Sequence, residues 1–316
     1  MKAVAAAITV LLAGAAGRAR ADEPATGQRI AMYGKPAVVR VWGAYRTRFR
    51  FDGKDWETGV GGTGSGFFID PDGYLATNAH VVQQIHVSEE QTRKALLERA
   101  VDQILDKYKD DFARMSRDQA VAVLQQIQLG AIEKVAVVVL PNGDRLPYEI
   151  VAYGAPVNEG KDVAIIKVDT HDAPTLEIGD ATGVQLQDPV FVIGYPGAAD
   201  LEDFGVLDAR SLLEATITDG KVSALKHTAG GDQVIQTTAP IGHGNSGGPA
   251  LDAQGRVIGL ATFGDLSTQG FNFLVTSTTL RELAGKTKAR NRLSKTDKLY
   301  REALKLLWDR RCSAAI

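Results

Sequence analysis

The chain has a single cysteine among its 316 residues, Cys312. A fold held together by disulfide bridges within the chain is therefore excluded, and the structure depends on its hydrophobic core. Hydrophobic residues make up 44% of the sequence and charged residues 23%, an ordinary composition for a globular protein. The length suits one large domain or two smaller ones. We expect the single thiol to have no functional role.

An excess of charge of one sign is also absent. Lysine and arginine total 36 against 38 aspartate and glutamate residues, a formal net charge of −2. This balance gives no overall electrostatic attraction to nucleic acid or to an anionic membrane. His80 and His86 are not followed by a third ligand at the spacing of a metal site. We therefore expect no nucleic-acid partner, no metal and no cofactor.

Long apolar runs are missing after the first 21 residues, "MKAVAAAITVLLAGAAGRARA". In that segment Lys2 precedes an apolar run too short to cross a bilayer, and Ala19–Ala21 is a small-x-small sequence. The pattern predicts a signal peptide at residues 1–21 and export to the periplasm or the medium. We expect no stable membrane insertion of the mature chain.

The sequence is rich in short β-type segments that are separated by turn signals. The runs "GSGFFI" and "YLATNAHVV" are joined by "DPDG", and Asn142–Gly143 has the composition of a hairpin turn. Similar runs are "DVAIIKVD", "PVFVIGYPG", "QVIQTTAP" and "GFNFLVTS". Many short strands of this kind predict an all-β fold, a barrel or a sandwich.

Two segments have helical periodicity instead. Within residues 88–130, Ser88 and Ser116 each precede a glutamine by three positions, the spacing of a capping box, and apolar residues recur every three or four positions. This predicts an inserted helical hairpin, for which decoration, a lid and an oligomer contact all remain open. The tail, residues 283–316, is predicted to carry a packed basic helix.

The heptapeptide "HGNSGGP" places Ser246 between glycines, where the backbone can bend freely and can present N–H groups to an oxyanion. A serine hydroxyl is a poor nucleophile unless a neutral imidazole accepts its proton and a carboxylate orients that imidazole. His80 and Asp162 precede Ser246, in the chain order of chymotrypsin-like enzymes. These three residues are the candidate catalytic set.

Several segments together resemble the trypsin-like proteases of the HtrA/Deg group: "GTGSGFFIDPDGYLATNAHVV", "KDVAIIKVD", "VFVIGYPG", "GKVSAL" and "GNSGGPALDAQGRVIGL". The resemblance extends from about Ala37 to Ser277. It implies an all-β protease domain over residues 30–282, built from two six-stranded chymotrypsin-like β-barrels with the helical hairpin inserted and a C-terminal helix added. The implied activity is that of a serine endopeptidase that cleaves unfolded or misfolded proteins through an acyl-enzyme.

The resemblance also assigns roles to residues around the candidate nucleophile. The backbone N–H groups of Gly244 and Asn245, with that of Ser246, are expected to form the oxyanion hole. Ile241 is expected to line the specificity pocket and to favour small or aliphatic side chains. The edge strand with Ala261, Thr262 and Phe263 is expected to bind an extended peptide by β-addition.

Alternatives to two of the catalytic residues stay open. Besides His80, the histidines are His86, His171, His227 and His243, none of which stands in a "TNAH" context. Near Asp162 lie Asp144, Asp169 and Asp172. Asp162 is favoured because the family's aspartate precedes an apolar strand.

The chain departs from the common members of the group in four ways. A PDZ domain is not expected after the protease, the helical insertion has no counterpart, and residues 197–215 replace a shorter activation loop. The N-terminal segment that trimerises many relatives is also short here, so trimeric assembly is not carried over, although a homo-oligomer remains open. A competing interpretation is a catalytically weak chaperone or scaffold that uses the protease fold to bind extended peptides.

Overall fold

The computed structural model describes residues 25–156, 159–197, 211–264 and 272–309. Two closed six-stranded antiparallel barrels form the body. With the strands numbered along the chain, the first six are arranged in the order 1-2-3-6-5-4 and the last six in the order 10-11-12-9-8-7. The predicted all-β fold with two six-stranded barrels is therefore confirmed. The predicted signal peptide and Cys312 lie outside the described residues.

The first barrel contains the strands β1 (Val38–Phe51), β2 (Lys54–Asp70), β3 (Tyr74–Thr77), β4 (Gln128–Val139), β5 (Arg145–Tyr153) and β6 (Ala164–Val168). The second contains β7 (Pro189–Gly194), β8 (Thr216–His227), β9 (Gln233–Thr237), β10 (Pro249–Leu251), β11 (Val257–Gly264) and β12 (Asn272–Thr276). The described helices are α1 (Thr26–Gly34), α2 (Ala79–His86), α3 (Glu89–Lys107), α4 (Lys109–Phe112), α5 (Arg117–Leu124), α6 (Ser277–Ala284) and α7 (Lys295–Trp308). Short 3₁₀ turns occur at Lys35–Ala37, Ala181–Gly183 and Ser211–Leu213.

One hydrophobic cluster joins the two barrels. It includes Phe67 and Val163 from the first barrel side and Ile193 and Leu251 from the second, all fully buried. Because apolar burial is the main favourable contribution to folding, this shared core fixes how the barrels face each other. Residues at the seam between the barrels are therefore held in a defined geometry.

The hairpin of β1 and β2 extends well beyond the first barrel, where β4 joins it as a third strand. Its turn is Asp52–Gly53, and both residues have positive φ, 49° and 69°. Aspartate–glycine is a composition typical of such two-residue turns. Sequence analysis did not identify this extension, although the pair Asp52–Gly53 was a signal for it.

The helical insertion packs on this extended ribbon. Ala100 and Ile104 of α3 are fully buried and form a cluster with Phe49 and Phe51 of β1. Both predicted capping boxes are present, at Ser88 and Ser116. The last helix of the insertion, α5, ends at Leu124 and β4 begins at Gln128, slightly before the expected end near Gly130. The residues after α5 therefore form the third strand of the ribbon.

The predicted C-terminal helix is present as α7, and α6 precedes it. Asp297 of α7 accepts a hydrogen bond from the backbone N–H of Thr175 at 2.7 Å, and Trp308 contacts Tyr33 of α1 edge-on with ring centroids 5.4 Å apart. The predicted domain boundaries at residues 30 and 282 both fall inside helices, α1 and α6, because these helices contribute Ile30, Leu280 and Leu283 to the shared core.

We expect Ile104→Ala to lower the free energy of unfolding by about 2–5 kcal/mol, since it removes fully buried methyl and methylene groups and leaves a cavity. Leu97→Ala, on the same helix but at a side chain that is 40% exposed, should change it by less than about 0.5 kcal/mol. Urea unfolding followed by circular dichroism measures both. Equal effects of the two variants would contradict the packing of α3 on the ribbon.

Candidate active site

His80 lies in the first turn of α2, close to a buried carboxylate. Its Nδ1 is 2.8 Å from Oδ2 of Asp162, and its backbone N–H donates to Oδ1 at 3.0 Å. The Asp162 side chain is fully buried, whereas that of His80 is 37% exposed. The sequence placed His80 at a strand end, but β3 stops at Thr77 and Asn78 is the N-cap of α2. The His80 ring therefore contacts the carboxylate through Nδ1, while another part of the ring is exposed to solvent.

Asp162 is oriented from several sides. The Asn78 side chain donates to its backbone carbonyl at 2.7 Å. Oγ1 of Thr262, on β11 of the second barrel, donates to Oδ2 at 2.5 Å. A buried carboxylate is stabilised by such hydrogen bonds, because it has lost its hydration. The carboxylate thus connects the two barrels at the site.

Several of the other aspartates and histidines considered in the sequence analysis have different contacts from Asp162 and His80. Asp172 accepts hydrogen bonds from the N-terminus of α7, and Asp144 lies in the hairpin turn with Asn142. His86 stacks on Tyr153, with ring centroids 3.8 Å apart. None of these contacts involves Ser246.

Ser246 lies in a turn that only glycine can build at two positions. Gly244 and Gly247 have φ values of 90° and 85°. A Cβ at Gly247 would lie 2.2 Å from the carbonyl oxygen of Ser65, and one at Gly244 would lie 2.3 Å from that of Tyr195. Both distances are far below van der Waals contact. The glycines around the serine are therefore required by backbone conformation and by close approach.

The Ser246 hydroxyl donates to the carbonyl oxygen of Thr262 at 2.9 Å. Among the described residues no hydrogen bond joins it to the His80 ring. Hydrogen bonds of this kind are often formed only once substrate is bound. Thr262, predicted from the resemblance to contact substrate, contacts both Ser246 and Asp162 directly, a role that sequence analysis missed.

Ser65 is a second residue that the sequence did not single out. Its hydroxyl accepts from the backbone N–H of Tyr195 at 2.9 Å and donates to the carbonyl oxygen of Gly244 at 2.7 Å. Its own backbone N–H donates to the carbonyl oxygen of Ser246 at 2.8 Å. Ser65 therefore holds the turn on both sides of the candidate nucleophile from the first barrel.

The backbone donors near Ser246 differ from those expected. The N–H of Asn245 donates to the carbonyl oxygen of Gly242 at 3.1 Å, so this group is engaged within the turn and its role as an oxyanion donor stays a prediction. The N–H groups of Gly244 and Ser246 bind no acceptor among the described residues. The carbonyl oxygen of His243 accepts from Gly197 at 2.7 Å. Because a trans peptide points its C=O and N–H in opposite directions, this contact turns the Gly244 N–H away from Gly197.

Both described ends of the 197–215 loop contact the rest of the structure. The Tyr195 hydroxyl donates to the carbonyl oxygen of Leu213 at 3.3 Å, and Glu214 forms an ion pair with Lys35. Burial raises the pKa of Tyr195 to about 12, so this hydroxyl stays a neutral donor. The interior of the loop, 198–210, lies outside the described residues.

The predicted substrate-binding residues have unequal exposure. Ala261 is fully buried, and its backbone C=O and N–H pair with Gly247 and Gly248, so its contact with substrate stays a prediction. Ile241 is 9% exposed and packs in the core of the second barrel. Phe263 lies on β11, and its side chain is outside the described part. Binding of substrate by Ile241 and Phe263 stays a prediction.

Within the ranges that the structure describes, no three His, Cys, Asp or Glu residues are grouped so as to hold a metal ion. In the same ranges, every helix falls short of the length and apolarity needed to span a bilayer.

Comparison with known proteins agrees with this geometry. Residues 64–260 match the family described as the trypsin-like peptidase domain. The serine protease HhoB of Synechocystis is 28% identical over 71% of this chain and 39% of its own length. A DegP-like periplasmic serine endoprotease of Halomonas elongata is 32% identical over 62% of this chain and 28% of its own. The chain thus spans well under half of these relatives.

A solved structure of the HtrA-type protease AlgW with a tripeptide has the same fold, with a TM-score of 0.50, 22% identity and coverage of 82% of this chain and 62% of that one. The chain belongs to the trypsin-like peptidase family, since the family match covers more than half of it. The resemblance to HtrA-type members of that family is confirmed.

We expect Gly247→Ala to destabilise the protein and to prevent labelling of Ser246 by a fluorophosphonate, because the new Cβ would collide with the Ser65 carbonyl. Gly255→Ala is the matched control, since Gly255 has φ 75° but nothing within 4 Å of an added Cβ. The control should lose only about 1–2 kcal/mol, the cost of a left-handed backbone. Thermal unfolding and gel fluorescence measure both, and equal behaviour of the two variants would contradict the described turn.

Proposed function

We propose that the protein is an exported serine endopeptidase of the HtrA type that cleaves unfolded or misfolded polypeptides through an acyl-enzyme. One observation carries the proposal: the fold places a buried carboxylate 2.8 Å from Nδ1 of His80, beside the glycine turn that presents Ser246. A structural role alone does not require these three residue types at the seam of two barrels.

Acylation begins with a rotation of the Ser246 side chain. Its hydroxyl leaves the Thr262 carbonyl and donates to Nε2 of His80, which takes the proton as Oγ attacks the scissile carbonyl. Asp162 holds the imidazole with Nδ1 protonated and stabilises the imidazolium that forms. His80 then gives the proton to the leaving amine, and water repeats the sequence on the acyl-enzyme.

The oxyanion that forms in this step is assigned to the N–H groups of Gly244 and Ser246, since Asn245 is engaged elsewhere. Each donor aimed at such an oxyanion contributes about 3–4 kcal/mol to transition-state stabilisation. Gly197, through the His243 carbonyl, is a positioning residue for the peptide that carries the Gly244 N–H. Ser65, through the Gly244 carbonyl, holds the next peptide of the turn.

The substrate class follows from the kind of recognition that the site offers. Beyond its pairing with β10, the edge of β11 reaches Ser246 at Thr262, so an extended chain lying on it would be bound through its backbone. Unfolded polypeptides present such segments, whereas folded proteins bury them. Periplasmic or secreted localisation is supported by the predicted signal peptide and by the DegP-like periplasmic relative.

Replacing the nucleophile tests the proposal directly. Ser246→Ala should lower kcat for casein by about 10⁴-fold or more, and Asp162→Asn by about 10⁴-fold, because the second variant leaves His80 in the wrong tautomer. A fluorophosphonate should label the original chain at Ser246 and fail on Ser246→Ala. Full turnover by Ser246→Ala would refute the assignment.

Thr262→Val removes the hydrogen bond to Asp162 and leaves the Thr262 carbonyl in place. A hydrogen bond to a charged group contributes about 1.5–3 kcal/mol, so kcat should fall by about 10- to 100-fold with little change in KM. Thr262→Ser is the matched control and should keep most of the activity. Loss of kcat in the serine variant as well would show that the methyl group, and not the hydroxyl, is what matters.

One observation favours the alternative of a catalytically weak chaperone: the Ser246 hydroxyl donates to Thr262 and not to His80. If that arrangement persists with substrate bound, unfolded polypeptides bind but are not cleaved. Protection of a denatured protein from aggregation, without labelling of Ser246 and without peptide products, would support this alternative.

A further inference from the structure

The charge of the chain is distributed unevenly. The tail, residues 283–316, carries ten lysine and arginine residues against three acidic ones, whereas the remaining sequence has 26 against 35. The tail is therefore strongly basic and the rest of the chain strongly acidic, which the overall charge of −2 conceals. Of the three acids, Asp297 is buried and binds Thr175, so it does not offset the exposed cations.

Helix α7 uses one face to pack against the body. Leu304 is buried, Trp308 contacts Tyr33, and the Arg301 guanidinium lies 5.0 Å above the Tyr33 ring. These contacts, with Asp297 at the N-terminus, fix which side of the helix faces inward. The helix therefore cannot rotate to bury its other side without losing them.

The outward face of α7 is also apolar. Leu299 is 59% exposed, Leu307 48% and Tyr300 39%. Ala303 and Leu306 fall between them at three- and four-residue spacing and are partly exposed. Met32 of α1, 36% exposed, is adjacent, because its carbonyl oxygen accepts from the Tyr300 hydroxyl at 3.3 Å. We call this surface, made of Met32 and the five α7 residues, the leucine face.

Lysines border the leucine face on one side. Lys295, Lys298 and Lys305 are exposed, and each precedes a leucine of the face by one to four positions. The exposed Glu302 lies between Lys298 and Lys305 on the same side, so the border has three positive charges and one negative charge. Long lysine side chains can lie beside an apolar surface while their ammonium groups reach a charged layer. Exposed leucines with a basic border are the features of a helix that lies in the plane of a membrane interface.

We propose that the leucine face docks the protein on an anionic lipid bilayer, with α7 parallel to the surface. A helix of 14 residues is about 21 Å long and does not span a bilayer, so the helix lies on the membrane and does not cross it. A second copy that docks through the same face is a poorer occupant, because the two basic tails would repel each other. Nucleic acid would match the cations but leave the leucines exposed.

The test is co-sedimentation with vesicles, using the chain from Asp22 onward, which contains every described residue. Vesicles of phosphatidylcholine with about one-third phosphatidylglycerol should carry down the protein, and phosphatidylcholine alone should carry down much less. Leu299→Glu with Leu307→Glu should reduce partitioning about tenfold or more. High salt should weaken binding of the original chain, since headgroup attraction is screened.

The control variant is Leu97→Glu with Leu186→Glu, which makes the same change at leucines that are 40% and 60% exposed elsewhere. It should bind vesicles like the original chain. Labelling of Ser246 and the thermal midpoint report whether each variant is folded, and neither pair touches the candidate active site. A reduction that is equal in both variants would overturn the proposal.

Two further outcomes would also overturn it. Equal partitioning onto neutral and anionic vesicles would mean that the basic tail does not select the lipid. Failure to sediment with vesicles, together with a mass in light scattering that falls from dimer to monomer in the Leu299→Glu, Leu307→Glu variant, would assign the leucine face to a second copy. The proposal is independent of catalysis, since a Ser246→Ala chain should bind vesicles unchanged.

Discussion

The arrangement of the site depends on the burial of one carboxylate. The Asp162 side chain is fully shielded from solvent and accepts hydrogen bonds from the His80 backbone, the His80 ring and the Thr262 hydroxyl. A buried charge without such partners would be strongly destabilising. The start of α2 on one barrel and the position of β11 on the other are therefore constrained together. Thr262 also links this carboxylate to Ser246. Its hydroxyl donates to Asp162, and its backbone carbonyl oxygen accepts from the Ser246 hydroxyl.

Local sequence predicted the catalytic candidates because their signals are local. The glycines around Ser246, the position of His80 after "TNA" and the apolar strand after Asp162 can each be recognised within ten residues. Ser65 and Thr262 could not be assigned in this way, since their roles arise from contacts between residues 100 or more positions apart. Sequence separation of that kind becomes proximity only after the barrels have closed.

The features that the sequence analysis missed also depend on the three-dimensional structure. The sequence pattern identifies the residues of the nucleophile turn but not the direction of each peptide, and the turn directs the Asn245 N–H to Gly242. In the ribbon, Arg46, Arg48 and Arg50 alternate with the buried Thr47, Phe49 and Phe51, so the period-2 pattern of a strand was present and was not recognised. The buried face exists only because α3 covers Phe49 and Phe51.

The ribbon and the insertion consequently stabilise each other. Excising the helices would expose the aromatic residues that α3 covers, so a loss of activity in such a deletion would not by itself identify a lid. At its base, the insertion contacts the histidine helix through a hydrogen bond of 3.3 Å between Gln84 and Thr92. That contact places the first turn of α3 beside α2, on which His80 lies.

The C-terminal helix α7 also stabilises the relative position of the two barrels. The N-terminus of α7 is bound to the first barrel through Thr175 and Asp172, and its C-terminal end packs on α1, whose Gly27 lies against Phe191 of the second barrel. A segment fastened to both barrels opposes their relative displacement. Since His80 and Ser246 lie on different barrels, the distance between them depends on that alignment. The inward face of α7 therefore stabilises the geometry of the site without contacting it. Only the outward face of α7 is available to a partner.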